Sequence, residues 1–249
     1  MRKVLSTIGL FLCVAVPVSA QTVDEIINHY LKSVGGIDKI RAVTTLRRSG
    51  KFIGGGGFEA AVTQENKRGN LVREEFSLLG MTAINAYDGS AGWKIEPWGG
   101  KKDPESLGEE EMKSILEDAD FDGPLVDYQK KGYKIEFAGK DKFEGTETVK
   151  LRITNSNGDI YMYHLDTDYY VPIKIDIKRF VRGAEREYET VLGDYKEVAG
   201  WFLPFSIETG VKGRQVKSKV VFDQIQANVD IDDGRFKMPT APAASPKKN

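Results

Sequence analysis

From Leu46 to Gln226 the chain repeats one pattern, short runs in which apolar and polar residues alternate, each run closed by Gly, Pro or Asn-Gly. Tyr133, Ile135 and Phe137 interleave with Lys134 and Glu136, and Val149, Leu151 and Ile153 interleave with Lys150 and Arg152. Alternation with period two puts every apolar member on one face of a strand, so each strand has one dry side. Asn157-Gly158 joins residues 149–154 to 160–165 as a hairpin, because this dipeptide accepts the positive φ of a tight two-residue turn. The same reading places strands at 49–53, 58–65, 71–78, 82–87, 92–97, 173–180, 187–192, 202–208 and 217–226. Turns are expected at Gly183, Gly193, Gly200 and Gly210 to Gly213. The spacing is that of a long antiparallel meander of about ten to twelve strands.

Helical patterns are few. Thr22-Val23-Asp24-Glu25 has capping-box spacing, and Ile26, Ile27, Tyr30, Leu31 and Val34 follow at helical intervals before Gly35-Gly36 ends the run. Residues 37–43 add a short second helix. A third is expected over 107–119, with Met112, Ile115 and Leu116 on its inner face, Lys113 and Glu117 toward water, and Glu109-Glu110-Glu111 at its positive N-terminal end. Three short helices cannot tile a sheet of this size. The fold class is therefore mainly β (α+β): a curved antiparallel sheet that curls around its own apolar face as an unclosed β-barrel with a few covering helices, or folds into a two-layer sandwich. The first of these makes a pocket.

The N-terminus reads Met1-Arg2-Lys3, then an apolar run to Val18, closing on Val18-Ser19-Ala20. This is a signal-peptide pattern with cleavage after Ala20. The run is too short for a spanning helix, which needs roughly 20 apolar residues, and the mature chain is expected to have no transmembrane segment. Cys13 follows the bulky Phe11-Leu12, which argues against lipidation, and it is the only cysteine. The mature protein then has no thiol or disulfide and is expected in the periplasm. Residues 21–238 read as one domain and 239–249, rich in Pro, Ala and Ser, as a disordered tail. The 36 basic and 37 acidic residues become 34 and 37 without Arg2 and Lys3, which argues against a nucleic-acid or polybasic membrane partner.

The chemistry-bearing motifs are weak. Asp118, Asp120 and Asp122 with Gly123 match the first half of a calcium loop, but the twelfth position is Gln129 where a bidentate Glu is required. Gly54-Gly55-Gly56-Gly57 lacks the Lys-Ser/Thr of a phosphate loop and reads as a hairpin turn. His29 and His164 have no second ligand at zinc spacing, and Ser49 and Ser206 lack a nucleophile elbow. No metal, cofactor or catalytic residue is expected. The aromatic set, Phe52, Phe76, Tyr87, Trp93, Trp98 and Trp201, together with Leu78 and the helical Met112, Ile115 and Leu116, supplies candidates for the wall and lid of an apolar cavity.

Four stretches carry a resemblance: Ala86-Tyr87-Asp88-Gly89 with Gly92-Trp93; Phe121-Asp122-Gly123-Pro124-Leu125-Val126-Asp127-Tyr128; Leu165-Asp166 leading to Val171-Pro172-Ile173-Lys174; and Asp194-Tyr195 leading to Leu203-Pro204. Together they resemble the outer-membrane lipoprotein-sorting proteins, the LolA/LolB-like family, over roughly residues 22 to 239. The resemblance implies an unclosed barrel with a helical lid over a cavity for lipid acyl chains. It implies a periplasmic lipid- or lipoprotein-binding protein acting in lipoprotein sorting to the outer membrane. A sensor or scaffold of the same fold that binds an envelope protein is the second reading, and a hydrolase of envelope components the third.

Overall fold

The computed structural model describes residues 22–100, 102–181 and 183–240. The expected signal peptide and nearly all of the expected tail lie outside the described residues. The chain opens with α1 (Val23–Ser33) and α2 (Ile37–Ala42), followed by β1 (Thr45–Ile53), β2 (Glu59–Lys67), β3 (Leu71–Leu78), β4 (Met81–Tyr87), β5 (Gly92–Ile95) and β6 (Glu105–Ser106). After α3 (Glu109–Ala119) come β7 (Lys134–Phe143), β8 (Thr146–Thr154), β9 (Ile160–Asp166), β10 (Pro172–Val181), β11 (Ala184–Val198), β12 (Trp201–Val211) and β13 (Lys217–Ala227).

The 13 strands form one antiparallel sheet in the order β6-β5-β4-β3-β2-β1-β13-β12-β11-β10-β9-β8-β7. Every neighbour is a sequence neighbour except β1 and β13, whose pairing joins the two halves of the chain. The edges β6 and β7 do not pair, so the barrel stays open. The additional strand relative to the sequence reading is the two-residue β6. Gly193 and Gly210 are not turns: β11 runs unbroken through Gly193, which pairs with Ser206, and Gly210 pairs with both Glu189 and Lys217. A glycine paired across a ladder continues the strand. The chain takes its left-handed residue one place later, at Asp194 (φ 54°).

Cross-strand partners share a face, so the register sorts the side chains into rows. Leu46, Asn66, Val72 and Tyr87 form one row on the concave face. Arg48, Gln64, Glu74 and Asn85 form the next, and Gly50, Val62, Phe76 and Ala83 the third. Gly50 sits at the β1–β13 bulge, where a Cβ would lie 2.0 Å from the Val221 carbonyl oxygen. The convex face carries the intervening row of Arg47, Glu65, Arg73, Ala86 and Trp93.

The helices α1 and α2 fill one end of the concavity. Thr22 caps α1 reciprocally with Glu25, and Ile26 and Ile27 bury against Leu125, Val149, Leu151, Ile153 and Leu165. Val34, Ile40 and Val43 continue this core over Leu46, Trp201, Leu203, Phe205 and Phe222. Gly35 (φ 110°) is forced by the same packing, since a Cβ there would lie 1.8 Å from the Gly200 carbonyl oxygen. Arg68 locks the end shut: it donates to the Val43 and Ile40 carbonyls at 2.7 Å each and to both Asp122 oxygens at 2.8 and 3.0 Å.

A strap after β13 crosses the convex face. Ile231 and Phe236 are buried, Trp93 Nε1 donates to the Phe236 carbonyl at 2.7 Å, and Arg235 pairs with the buried Glu65 at 2.6 Å.

Candidate functional site

Past the helix-covered end, the concave face changes character twice. The second row is a polar belt. Arg48 donates to Gln64 Oε1 at 2.8 Å and Asn66 Oδ1 at 2.6 Å, and Gln64 donates to Glu74 Oε1 at 2.8 Å. Enclosure pulls the Arg48 guanidinium down to about 10, against the opposing pull of Asp118 and Glu74. Enclosure likewise raises the Glu74 carboxyl. Asp118 keeps access to solvent through the adjoining cleft, yet enclosure, then the charges of Glu74 and Glu117, hold it well above the usual carboxylate range.

Beyond the belt the face is apolar again and has no cover among the described residues. Val62, Phe76, Trp98, Ile207, Val220 and Phe222 wall a groove of ≈ 480 Å³ whose inner end is Gln64, Glu74 and Asn85. The walls come from strands on both sides of the β1–β13 seam, so closing that pairing builds the groove. An aromatic chain runs along it: Phe52 lies 5.3 Å from Phe76, Phe76 lies 6.3 Å from Trp98, and Phe58 lies 5.7 Å from Phe52. These are centroid separations at which aromatic rings attract.

α3 lies inside the concavity and is held from both sides. Ile115 and Ala119, with Met112, pack on Val72, Tyr87 and Leu107. Asn66 Nδ2 donates to the Asp118 carbonyl at 2.7 Å, and Lys94 Nζ lies 2.6 Å from Glu111. Across the groove Glu117 accepts from Tyr161 of β9 and from Arg179 of β10, the latter at 3.0 Å. Clefts of ≈ 330 and ≈ 320 Å³ flank the helix on its β10–β11 and β3–β4 sides.

The candidates named from sequence fall into groups. Phe52, Phe76, Leu78 and Trp98 stand at the open end, with Leu78 in the row beyond Phe76. Tyr87, Met112 and Ile115 meet under α3. The inner stripe of α3 is Met112, Ile115 and Ala119, whereas Leu116 is 44 % exposed and Glu117 faces the β9–β10 wall, not open water. Trp93 stands on the convex face under the strap, and Trp201 is packed in the helix-covered core against Phe121. The belt residues Arg48, Gln64 and Glu74 were not singled out. Their signal is present in β1, β2 and β3 as polar residues at inward-facing positions between Leu46 and Phe52, after Val62, and between Val72 and Phe76.

The three carboxylates of the calcium-like stretch face separate cations: Asp122 binds Arg68, Asp120 binds Lys131, and Asp118 lies in the field of Arg48. Among the described residues no cluster of His, Cys, Asp and Glu could hold a metal ion. His29 stacks on Tyr170 at 4.7 Å, and His164 Nε2 lies 3.0 Å from Asp176. No helix among the described residues is long and apolar enough to cross a membrane.

Solved structures share this curved open sheet with helices against its concave face, and three of them superimpose on most of this chain. A LolA superfamily protein from Nitrosomonas europaea matches with a TM-score of 0.58 at 12 % identity, over 88 % of this chain and 98 % of that one. A domain described as an outer membrane lipoprotein-sorting protein, from Vibrio parahaemolyticus, matches with a TM-score of 0.55 at 12 % identity, over 84 % and 97 %. A DUF1329 family protein from Desulfovibrio piger matches with a TM-score of 0.58 at 11 % identity, over 88 % and 98 %. No protein-family model and no curated protein sequence matches the chain.

Proposed function

We propose that this protein binds lipid acyl chains, free or as part of a lipoprotein, in the uncovered half of its concave face, as a non-enzymatic periplasmic carrier. One observation carries this reading: Phe52, Val62, Phe76, Ile207 and Val220 face the inside of the sheet and yet remain partly exposed. Inward-facing apolar side chains in a folded sheet are ordinarily covered by the protein itself. Here the last four line a groove within the roughly 300–1,000 Å³ range of small-molecule sites, and Phe52 adjoins it through Phe76. Each methylene moved from water into such a lining contributes about 0.8 kcal/mol, so a chain is held without covalent chemistry. The superposition on a lipoprotein-sorting domain supports the same reading.

The test is titration with a fluorescent fatty acid, paired with native mass spectrometry of protein recovered from its own envelope. Saturable binding by the wild type, abolished by Phe76→Glu with only a modest loss of thermal stability, is the expected result. Absence of binding by the wild type, together with co-purification of an envelope protein, would transfer the groove to the sensor or scaffold reading.

A further inference from the structure

The hairpin register sends six segments toward the end of the sheet opposite α1 and α2: the β1–β2, β3–β4, β8–β9 and β12–β13 turns, the β5–β6 loop and the end of β10. All but the polar β8–β9 turn present a large apolar side chain to solvent. Phe58, Leu79, Trp98, Phe180 and Val216 are 47, 88, 38, 64 and 69 % exposed. Turns between strands are normally polar, and several exposed apolar residues gathered on one rim mark a contact surface. The tips also support one another. The glycine-rich β1–β2 turn lets the β12–β13 turn approach so closely that a Cβ on Gly55 would lie 2.2 Å from Val216 Cγ1.

The charge of the β12–β13 tip departs from that of the chain. Residues 208–219 carry Lys212, Arg214, Lys217 and Lys219 against Glu208 alone, in a protein whose overall formal charge is −1. Lys212 and Lys217 are held by Glu187 and Glu189 of the neighbouring strand, whereas Arg214 and, on the next tip, Arg186 are exposed and have no acidic partner among the described residues. Apolar tips set among outward basic groups match the two layers of a bilayer surface, apolar chains below and anionic headgroups above.

We infer that this rim docks on an anionic lipid bilayer, with Leu79, Phe180 and Val216 entering the interface and Arg186 and Arg214 meeting headgroup phosphates. The overall charge balance argues against a polybasic membrane partner. The rim overrides that argument because it is local and acts mainly through apolar insertion. The inference stands on the rim alone, and the groove behind it would open onto the membrane it contacts.

The test is flotation of the purified protein with phosphatidylglycerol vesicles and with phosphatidylcholine vesicles. The wild type floats with the anionic vesicles and shifts its Trp98 emission to the blue, Trp98 being the exposed one of the three tryptophans. The Leu79→Ser/Phe180→Ser/Val216→Ser variant, whose exposed sites leave the core intact, loses about tenfold or more of that partitioning at an unchanged melting temperature. Arg186→Glu/Arg214→Glu weakens binding to the anionic vesicles alone. A wild type that stays off phosphatidylglycerol vesicles, or a triple variant that floats as well as the wild type, would overturn the inference. So would a wild type that self-associates without lipid while the triple variant is monomeric, which would make the rim a contact between copies. Fatty-acid titration of the same samples separates the two readings: flotation without acyl binding sinks the groove and leaves the rim, and acyl binding without flotation does the reverse.

Discussion

β1 crosses the whole concavity, and its two ends meet opposite fates. Leu46, at the end covered by α1 and α2, is buried in the main core, while Phe52, three pleats further along the same face, adjoins an open groove. The same alternation of apolar and polar residues writes both. What separates them is the cover, which for Leu46 comes from helices and for Phe52 is missing among the described residues. Strand periodicity therefore encodes which side of a sheet is apolar, and the remainder of the fold decides whether that side becomes core or site.

Truncations should break this symmetry most strongly at the covered end. Leu151→Ala and Ile40→Ala remove fully buried side chains and should each cost roughly 2–5 kcal/mol in chemical denaturation, with little change in acyl-probe affinity per folded molecule. Phe76→Ala should show the inverse, a modest loss of stability and a clear loss of probe binding; equal stability losses at both ends would mean that the groove is packed as core. Next in size is Arg68→Ala, which strands Asp122 and two carbonyls and should cost about 2 kcal/mol by the same measurement.

The polar belt between the two regions gives a smaller, pH-dependent effect. Glu74 and Asp118 bind protons at higher pH when folded than when unfolded, so their ionisation opposes folding above the raised values. As pH falls through those values toward the ordinary carboxylate range, this opposition is relieved and stability contributed by the pair rises. Melting curves of Asp118→Asn should lie above wild type at neutral pH and converge with it in acid. A constant offset at all pH values would show that the belt charges do not couple to folding. The smallest effect belongs to Leu116→Ala, which should stay within about 0.5 kcal/mol of wild type because the side chain is already largely in water.

Much of this architecture was legible. All strands but β6 were placed, since each has several alternating residues, whereas Glu105-Ser106 is too short to show a period. The α1 cap was legible because its signal is local, four residues from Thr22 to Glu25. Trp93 was not, because the face a strand turns inward is settled by its partners. Its indole hydrogen-bonds a carbonyl 143 residues away, in a strap whose apolar anchors Ile231 and Phe236 carry no strand or helix period. The inner stripe of α3 was misplaced by one side chain: Leu116 and Ala119 are both compatible with helical spacing, and contact with Val72 selects the smaller residue. Arg48 and Glu74 escaped notice because polar residues facing inward from a strand look like ordinary surface until the curvature of the sheet is known.

The β1–β13 seam also sets an order of events in time. Leu46 pairs with Ala227, so a chain delivered from its N-terminus can zip β1 through β6 while one side of β1 waits for nearly the whole remaining sequence. Pairing across such a separation is slow, because the loop must close before any contact rewards it. Until β13 arrives there is no second wall opposite Val62 and Phe76, and the half-made sheet has nothing to hold a ligand against. The arrival of β13 and the completion of the groove are thus the same moment for this protein.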